Sequence, residues 1–341
     1  MSRKIIAVIH NEPVSAGTPF SEASLDVLIQ VEAVERAIES LGYGVVRIPF
    51  THDIETFMRR AKASRMELAV NLCESLDEDP AFIGHPAAVL ELMGIPFTGS
   101  SSSALMVSTD KHIATCLLHA HGLRAPRHIL YNGMDDFDSC GLSYPVILKP
   151  RLQDASIGID QGSVFRDKKT LREGIREFYD RFGDLVVEEY IAGREFNVSL
   201  FGYPSPRVLP LAEIDFSSLP QEMLPIVGYR AKWDISSFEY DHTPRMFSPA
   251  LKPAVRRRVE NTARECFSLF NIRDYCRVDM RIDERDRIYV FDVNANPCLS
   301  PDAGFAAAAH QAGMSYTDII DELIRHTMQR AGDNGNPTSH I

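Results

Sequence analysis

No stretch of about 18 consecutive apolar residues occurs in the 341-residue chain, so no helix able to cross a bilayer is expected. The opening Met1-Ser2-Arg3-Lys4, followed by Ile5-Ile6-Ala7-Val8-Ile9, is too short and too strand-like for the apolar region of a signal peptide. Basic residues are outnumbered: the formal net charge is -11, and no basic stripe marks a nucleic-acid binder. That balance still permits one bound nucleotide, because a few local lysines and a metal outweigh the global field. The six cysteines (Cys73, Cys116, Cys140, Cys266, Cys276, Cys298) form no C-x-x-C pair, as expected of a reduced, cytoplasmic protein. The chain also lacks G-x-x-x-x-G-K-[ST], G-x-G-x-x-G and H-E-x-x-H. Ser108 and Lys111 match S-x-x-K, but no S-D-N or K-T-G accompanies them, which removes the acyl-serine enzymes. His112, His119 and His121 look like a metal cluster. On one helix, residues two apart do not face each other, so they are expected to be surface histidines.

At 45% hydrophobic, the chain has enough apolar residues for a sizeable core, and its length suits two or three compact units. Residues 3–9 form a β-branched run typical of a buried parallel strand. A helix follows over 22–42, with Val34, Ala37, Ile38 and Leu41 on one face and Gly42 to stop it. Strands at 44–49 and 67–72 alternate with helices at 54–63 and 84–93, which predicts a doubly wound parallel sheet over the first 100 residues. The serine run Ser100 to Ser103 reads as a boundary. Beyond it the pattern gives a helix at 110–121, strands at 127–131, 145–149 and 161–165, and a helix at 167–181. Strands at 184–188, 194–202 and 207–215 come next, then a helix at 250–270, a hairpin at 273–295 and a last helix at 315–330. Units are expected at 1–100, 101–187 and 188–330, with 331–341 as a frayed tail.

The hairpin carries the densest chemistry. In Cys276-Arg277-Val278-Asp279-Met280-Arg281-Ile282, alternation places Arg277, Asp279 and Arg281 on one face. A turn centred on Arg285-Asp286 sets Asp279 opposite Asp292 and Arg277 opposite Asn294. Two carboxylates and an amide oxygen beside an arginine suit Mg2+, which favours one or two carboxylates plus substrate phosphates. The polar face of an ordinary amphipathic hairpin would read the same way. Upstream, Lys149 leaves a buried strand at its C-terminal end, where α/β sheets place ligands. The loop Gln153 to Gly158 follows, able to meet phosphates through backbone N–H groups. Lys111 opens a helix behind Asp110, a candidate N-cap. The strand Val186-Val187-Glu188-Glu189-Tyr190-Ile191 ends in a turn followed by Glu195, a shape that can hydrogen-bond a purine and a ribose. Taken singly, each lysine reads as a surface residue and this strand as one with charged ends.

Together these pieces resemble the ATP-grasp superfamily, and within it the D-alanine–D-alanine ligase branch. The resemblance rests on Gly94-Ile95-Pro96-Phe97-Thr98-Gly99-Ser100, Asp110-Lys111, Pro145 to Pro150, Glu188 to Glu195, Arg277-Val278-Asp279 and Asp292 to Pro297, in the family's order over roughly 84–325. It implies an ATP-grasp α/β fold behind an N-terminal parallel-sheet domain. It also implies an ATP-dependent carboxylate–amine ligase working through an acyl phosphate on small-molecule acid and amine substrates, and a homodimer. Lys111, Lys149 and Ser156 would meet the ATP phosphates. Glu188, Glu189, Tyr190, Ile191 and Phe291 would frame the adenine, and Glu195 would hold the ribose. Lys232 matches a loop lysine that closes on the γ-phosphate. Asp279, Asp292 and Asn294 would hold two Mg2+ ions, or Mn2+, with Arg277 stabilising the transferring phosphoryl group.

The substrate-facing motifs depart from the family. Asn71-Leu72-Cys73-Glu74-Ser75-Leu76 stands where the family has its His-Gly and Gly-Glu-Asp-Gly stretch. The phosphate loop reads Asp154-Ala155-Ser156 instead of Gly-Ser-Ser, Trp233 replaces a tyrosine, and Asp292 a glutamate. Ala303 stands where a serine recognises the second substrate's carboxylate. Retained chemistry on changed substrates is expected, with Glu74 as a candidate for a substrate amine and Asp302 as one for a cationic group. An exposed loop acid is the ordinary reading of both.

Overall fold

The computed structural model describes residues 3–13, 17, 20–134 and 141–334. Cys140 and residues 335–341 of the expected tail lie outside them, whereas 331–334 belong to the last helix. Three sheets carry the fold. The first is built from β1 (Ile5–Asn11), β2 (Gly44–Phe50) and β3 (Leu68–Asn71), parallel and in the order β2-β1-β3. Helices α1 (Ser21–Ser40), α2 (Ile54–Ser64) and α3 (His85–Met93) connect its strands and follow them. Alternation along β1 feeds two cores. Ile6 and Val8 pack with Val31, Val34 and Ile38 of α1, while Ala7 and Ile9 pack with Phe57 of α2 and Leu90 of α3. Helices therefore cover both faces, as a parallel sheet requires.

The serine run Ser100 to Ser103 leads directly into a helix that the pattern did not show. Ser101 accepts a hydrogen bond from the Ala104 amide at 3.3 Å and caps α4 (Ser102–Thr109). Asp110 then caps α5 (Lys111–Ala120), accepting from the His112 and Ile113 amides at 3.1 Å each. The second sheet has the order β4-β7-β5-β6, formed by β4 (His128–Tyr131), β5 (Val146–Pro150), β6 (Val164–Phe165) and β7 (Leu185–Glu189), with α6 (Lys168–Phe182) packed on it. β7 spans the expected 187/188 junction, and the chain enters the third sheet at Arg194.

The third sheet holds β8 (Arg194–Phe201), β9 (Arg207–Val208), β10 (Ala212–Ile214), β11 (Arg245–Phe247), β12 (Tyr275–Ile282) and β13 (Ile288–Asn294). Its path is β11-β10-β8-β12-β13, with β9 on β8. The single strand expected over 207–215 is two, interrupted at Pro210, which has no amide to donate. Two short helices absent from the sequence pattern, α7 (Tyr229–Trp233) and α8 (Phe238–Asp241), precede β11. One face of this sheet is apolar: Phe196, Val198, Val278 and Met280 pack against Val255 and Val259 of α9 (Pro253–Leu269). Helices α10 (Gly304–Gln311), also unexpected, and α11 (Tyr316–Asn334) complete the chain. Arg330 of α11 pairs with fully buried Asp274, which also accepts from the Gly99 amide at 2.7 Å. Among the described residues no helix is long and apolar enough to cross a membrane.

The turn between β7 and β8 depends on Gly193. Its φ is +135°, and a Cβ there would meet the Ile282 carbonyl oxygen at 2.1 Å. Gly193→Ala is expected to cost about 3 kcal/mol in urea unfolding, since neither backbone can yield without breaking the ladder. Gly332→Ala, with open space around the Cβ, is expected to be neutral or slightly stabilising.

Candidate active site

The polar face of the third sheet opens opposite α9. Three cross-strand pairs define it: Arg277 with Ser199, Asp279 with Asn197, and Arg281 with Glu195. On the other side of β12, Arg277 faces Asn294 and Asp279 faces Asp292, the register expected from alternation and the turn. The ladder then slips by one residue between Asp279 and Met280. This bulge breaks the alternation on β13 and lets Phe291 share the site with Asp292; the Lys149 ammonium lies 5.0 Å from the Phe291 ring centroid.

Arg277 grips Asp279 in a bidentate fork, Nε to Oδ1 and Nη2 to Oδ2 at 2.7 Å each, and Asn197 donates to Asp279 Oδ1 at 2.9 Å. Burial works against the Arg277 charge, but Asp279 and Asp292 more than offset it and hold the guanidinium above its ordinary range. Asp292 has the opposite problem. Burial pushes its carboxyl up to about 6; Lys111 pulls it down, while Asp154 and Asp279 push it further up. Two acids and an amide oxygen, with one acid short of compensating charge, fit a hard divalent cation held by Asp279, Asp292 and Asn294. Asn294 Oδ1 also accepts from the Asn296 amide at 2.8 Å, which fixes the amide plane.

Lys149 projects from β5, 7% exposed, and forms an ion pair with Glu188 of β7, 4% exposed. Lys111 lies 3.6 Å from Asp154 and donates to the Gln153 carbonyl. Its helix is anchored by Arg151, which binds its cap Asp110 at 2.7 Å and Asp184 at 3.1 Å. The loop of 153–161 is docked against the segment carrying Lys232. The Tyr229 amide donates to the Ile159 carbonyl at 2.9 Å, and Trp233 Nε1 to the Ala155 carbonyl at 3.0 Å. Lys232 is solvent-accessible within a cleft walled by protein. Desolvation lowers its pKa, Arg277 lowers it further, and Asp279 and Asp292 oppose them, which places the ammonium in the same field as the hairpin.

Several predicted residues are otherwise engaged. Ser156 donates to the Val227 carbonyl at 2.9 Å, with Ser156 at φ 60° and Ala155 at φ 56°. Glu189 turns to the far side of β7, accepting from the Ser143 amide at 2.7 Å near Arg127. Glu195 is paired with Arg281 at 2.7 Å, both nearly buried, and the Ile191 carbonyl accepts from Arg281 at 2.7 Å. The Arg281 guanidinium lies 4.8 Å from the centre of the Tyr190 ring, whose hydroxyl donates to the Pro225 carbonyl at 3.1 Å.

Two groups escaped the sequence reading. Arg245, on the short strand β11, stands in the cleft. Desolvation lowers its pKa, Arg277 adds to this, and Asp302 and Asp279 oppose it. No periodic pattern surrounds it that would have singled it out. The second is the pair Asp26 and Gln30, which meets the expected candidate Glu74 just beyond β3. Gln30 of α1 donates to Glu74 at 2.9 Å, and Ser300 and Cys298 donate to Asp26 of α1 at 2.9 and 3.0 Å. Burial raises the Glu74 carboxyl to about 7; Gln30 lowers it, and Asp26 and Asp154 raise it.

The fold that these three sheets make is the ATP-grasp fold. The family model described as "D-ala D-ala ligase C-terminus" matches residues 137–325. The D-alanine–D-alanine ligase of Desulforudis audaxviator is 32% identical over 312 residues, 87% of this chain and 92% of that one. An uncharacterized protein of Sinorhizobium fredii is 30% identical over 83% of this chain and 81% of its own length. The structure of the Bacillus anthracis D-alanine–D-alanine ligase complexed with ATP superposes with a TM-score of 0.76 at 20% identity, covering 98% of this chain and 100% of that chain, which shows the shared fold. The chain belongs to the D-alanine–D-alanine ligase family, ATP-dependent C–N ligases of the ADP-forming type.

Proposed function

We propose that this protein activates the carboxylate of one amino-acid-sized substrate with ATP and joins it to the amine of a second, as a cytoplasmic enzyme whose substrates differ from paired D-alanines. The observation that carries the reading is the Arg277–Asp279 fork set beside under-compensated Asp292. It would neutralise a transferring phosphoryl group, and the half-buried acids around Glu74 would receive an ammonium.

In this reading Lys111 and Lys149 hold the ATP phosphates, with Ser156 contributing from the loop between them. Glu188 to Ile191, with Phe291, frame the adenine, and Glu195, steadied by Arg281, faces the ribose. Asp279, Asp292 and Asn294 hold the divalent cation, which neutralises phosphate charge when bound. Lys232 approaches the γ-phosphate from α7, and the docking of α7 on the phosphate loop excludes water from a hydrolysis-prone intermediate. The substrate carboxylate attacks the γ-phosphorus, ADP leaves, and an acyl phosphate remains. The amine then attacks the acyl carbon, phosphate departs and the amide forms. Arg277 stabilises the charge that develops on the phosphoryl oxygens and then on the tetrahedral carbon. Arg245 supplies a cation for the second substrate's carboxylate, the task for which Ala303 has no hydroxyl. The division into units at 1–100, 101–187 and 188–330 belongs to the same proposal, with β7 crossing its second junction.

Glu74→Gln tests the pocket. It is expected to raise KM for the amine-bearing substrate about 10- to 100-fold, the loss of one charge-assisted hydrogen bond, with a smaller change in kcat. Since Glu74 ionises at about 7, wild-type KM is expected to fall as pH rises from 6 to 8, and the variant's KM to stay flat. The overall assignment is tested by Mg2+-dependent phosphate release from ATP across D- and L-amino acids and dipeptides. Release with D-alanine alone would establish the D-alanine–D-alanine reading, which the Desulforudis relative favours. No release with any pair, despite ATP binding, would favour a nucleotide-binding scaffold.

A further inference from the structure

Away from the hairpin, α5 and β4 bring together three side chains that the ligase reaction does not use. His112 and Cys116 stand one turn apart on the same face of α5, and His128 of β4 meets them from across the junction. His112 Nδ1 lies 2.9 Å from His128 Nε2, and the Cys116 sulfur lies 4.0 Å from the first and 3.9 Å from the second. All three donor atoms fall within 4.8 Å of one another. The helical spacing in the sequence pointed instead to His112, His119 and His121 as separate surface residues. The partner that closes the cluster, His128, comes from a different element, which a single-helix argument does not reach.

The geometry points to a binding site for a divalent transition metal of the Zn2+ class, ligated by His112 Nδ1, Cys116 Sγ and His128 Nε2, with one position left for water. With metal–nitrogen bonds of about 2.0 Å and a metal–sulfur bond of about 2.3 Å, one face of a tetrahedron has edges of roughly 3.3 Å and 3.5 Å. The observed separations bracket those values to within about half an ångström, a shift that side-chain rotation supplies. The donor set is two imidazoles and a thiol, which suits Zn2+, Co2+ or Cu2+ and disfavours Mg2+ and Ca2+.

An ion here would clamp two elements of the nucleotide site. α5 begins at Lys111, and His128 pairs in register with Glu188, the partner of Lys149. The clamp is independent of the substrate assignment, because its ligands belong to neither the phosphate nor the acid pocket.

The test is Co2+ titration of the metal-free full-length protein in excess Mg2+, which keeps the oxygen site occupied. One equivalent is expected to give tetrahedral d–d bands and a thiolate-to-cobalt charge-transfer band. Cys116→Ser is expected to abolish the charge-transfer band and weaken Zn2+ binding at least about tenfold, and His112→Gln to weaken it similarly. Cys116 is exposed, so its variant is expected to fold and to retain Mg2+-dependent phosphate release without Zn2+. Absence of the band in the wild type, its persistence in Cys116→Ser, or unchanged Zn2+ affinity in both variants would overturn the site.

Discussion

Arg277→Met is expected to lower kcat/KM for ligation about a thousandfold, mostly through kcat, while ATP binding weakens little. The guanidinium forks onto Asp279 in a site where burial strengthens every charge, and in the proposed mechanism it acts only at the phosphoryl-transfer and tetrahedral stages. The size follows from single arginines in phosphoryl transfer, whose removal costs about 10³-fold or more. The variant also strands Asp279, 6% exposed, with Asn197 as its remaining donor. A stability loss of about 3 kcal/mol is therefore expected at neutral pH. Steady-state kinetics beside urea unfolding separates the two effects: a variant fully folded at assay temperature yet a thousandfold slower isolates the catalytic part. A loss below about tenfold in a folded variant would remove Arg277 from the reacting centre.

Asp292→Asn is the second. It keeps the shape of the side chain and removes its charge, so turnover at saturating Mg2+ is expected to fall at least about a hundredfold, and half-saturating Mg2+ to rise at least about tenfold. The same substitution is expected to stabilise the metal-free protein above pH 7. The wild-type carboxyl ionises at about 6 when folded and near 3.8 when unfolded. The folded state therefore holds its proton more tightly, and the stability gained from that proton is present in full below pH 3.8. It is lost as pH rises through 6. Asparagine carries no such dependence. Thermal melts at pH 5 and pH 8, with and without Mg2+, read it directly. Wild type is expected to gain from Mg2+ most at pH 8, and the variant to gain little at either pH.

Much of this site was legible before any coordinates, because a β-hairpin obeys simple rules. Period-two alternation and the turn at Arg285-Asp286 fixed Asp279 against Asp292 and Arg277 against Asn294, and the structure has both pairs. The bulge was not legible, since one extra residue on β13 leaves the alternation of β12 untouched; its consequence is the placement of Phe291 beside Lys149. Helix α4 was missed because serines that read as a boundary can equally cap a helix, and only the hydrogen bond from the Ala104 amide to Ser101 decides it. Arg245, and Asp26 and Gln30 around the expected candidate Glu74, were hidden for a different reason. Their meaning comes from elements distant in sequence that converge on one cleft, and no local pattern encodes convergence.

The central claim is transfer of the γ-phosphoryl group to a substrate carboxylate, and heavy-oxygen labelling of that carboxylate tests it most directly. Once the productive substrate pair is known, phosphate released during ligation is analysed by mass spectrometry. One labelled oxygen per phosphate, lost together with turnover in Asp292→Asn, is the expected result. Unlabelled phosphate released alongside amide product would contradict the acyl-phosphate route.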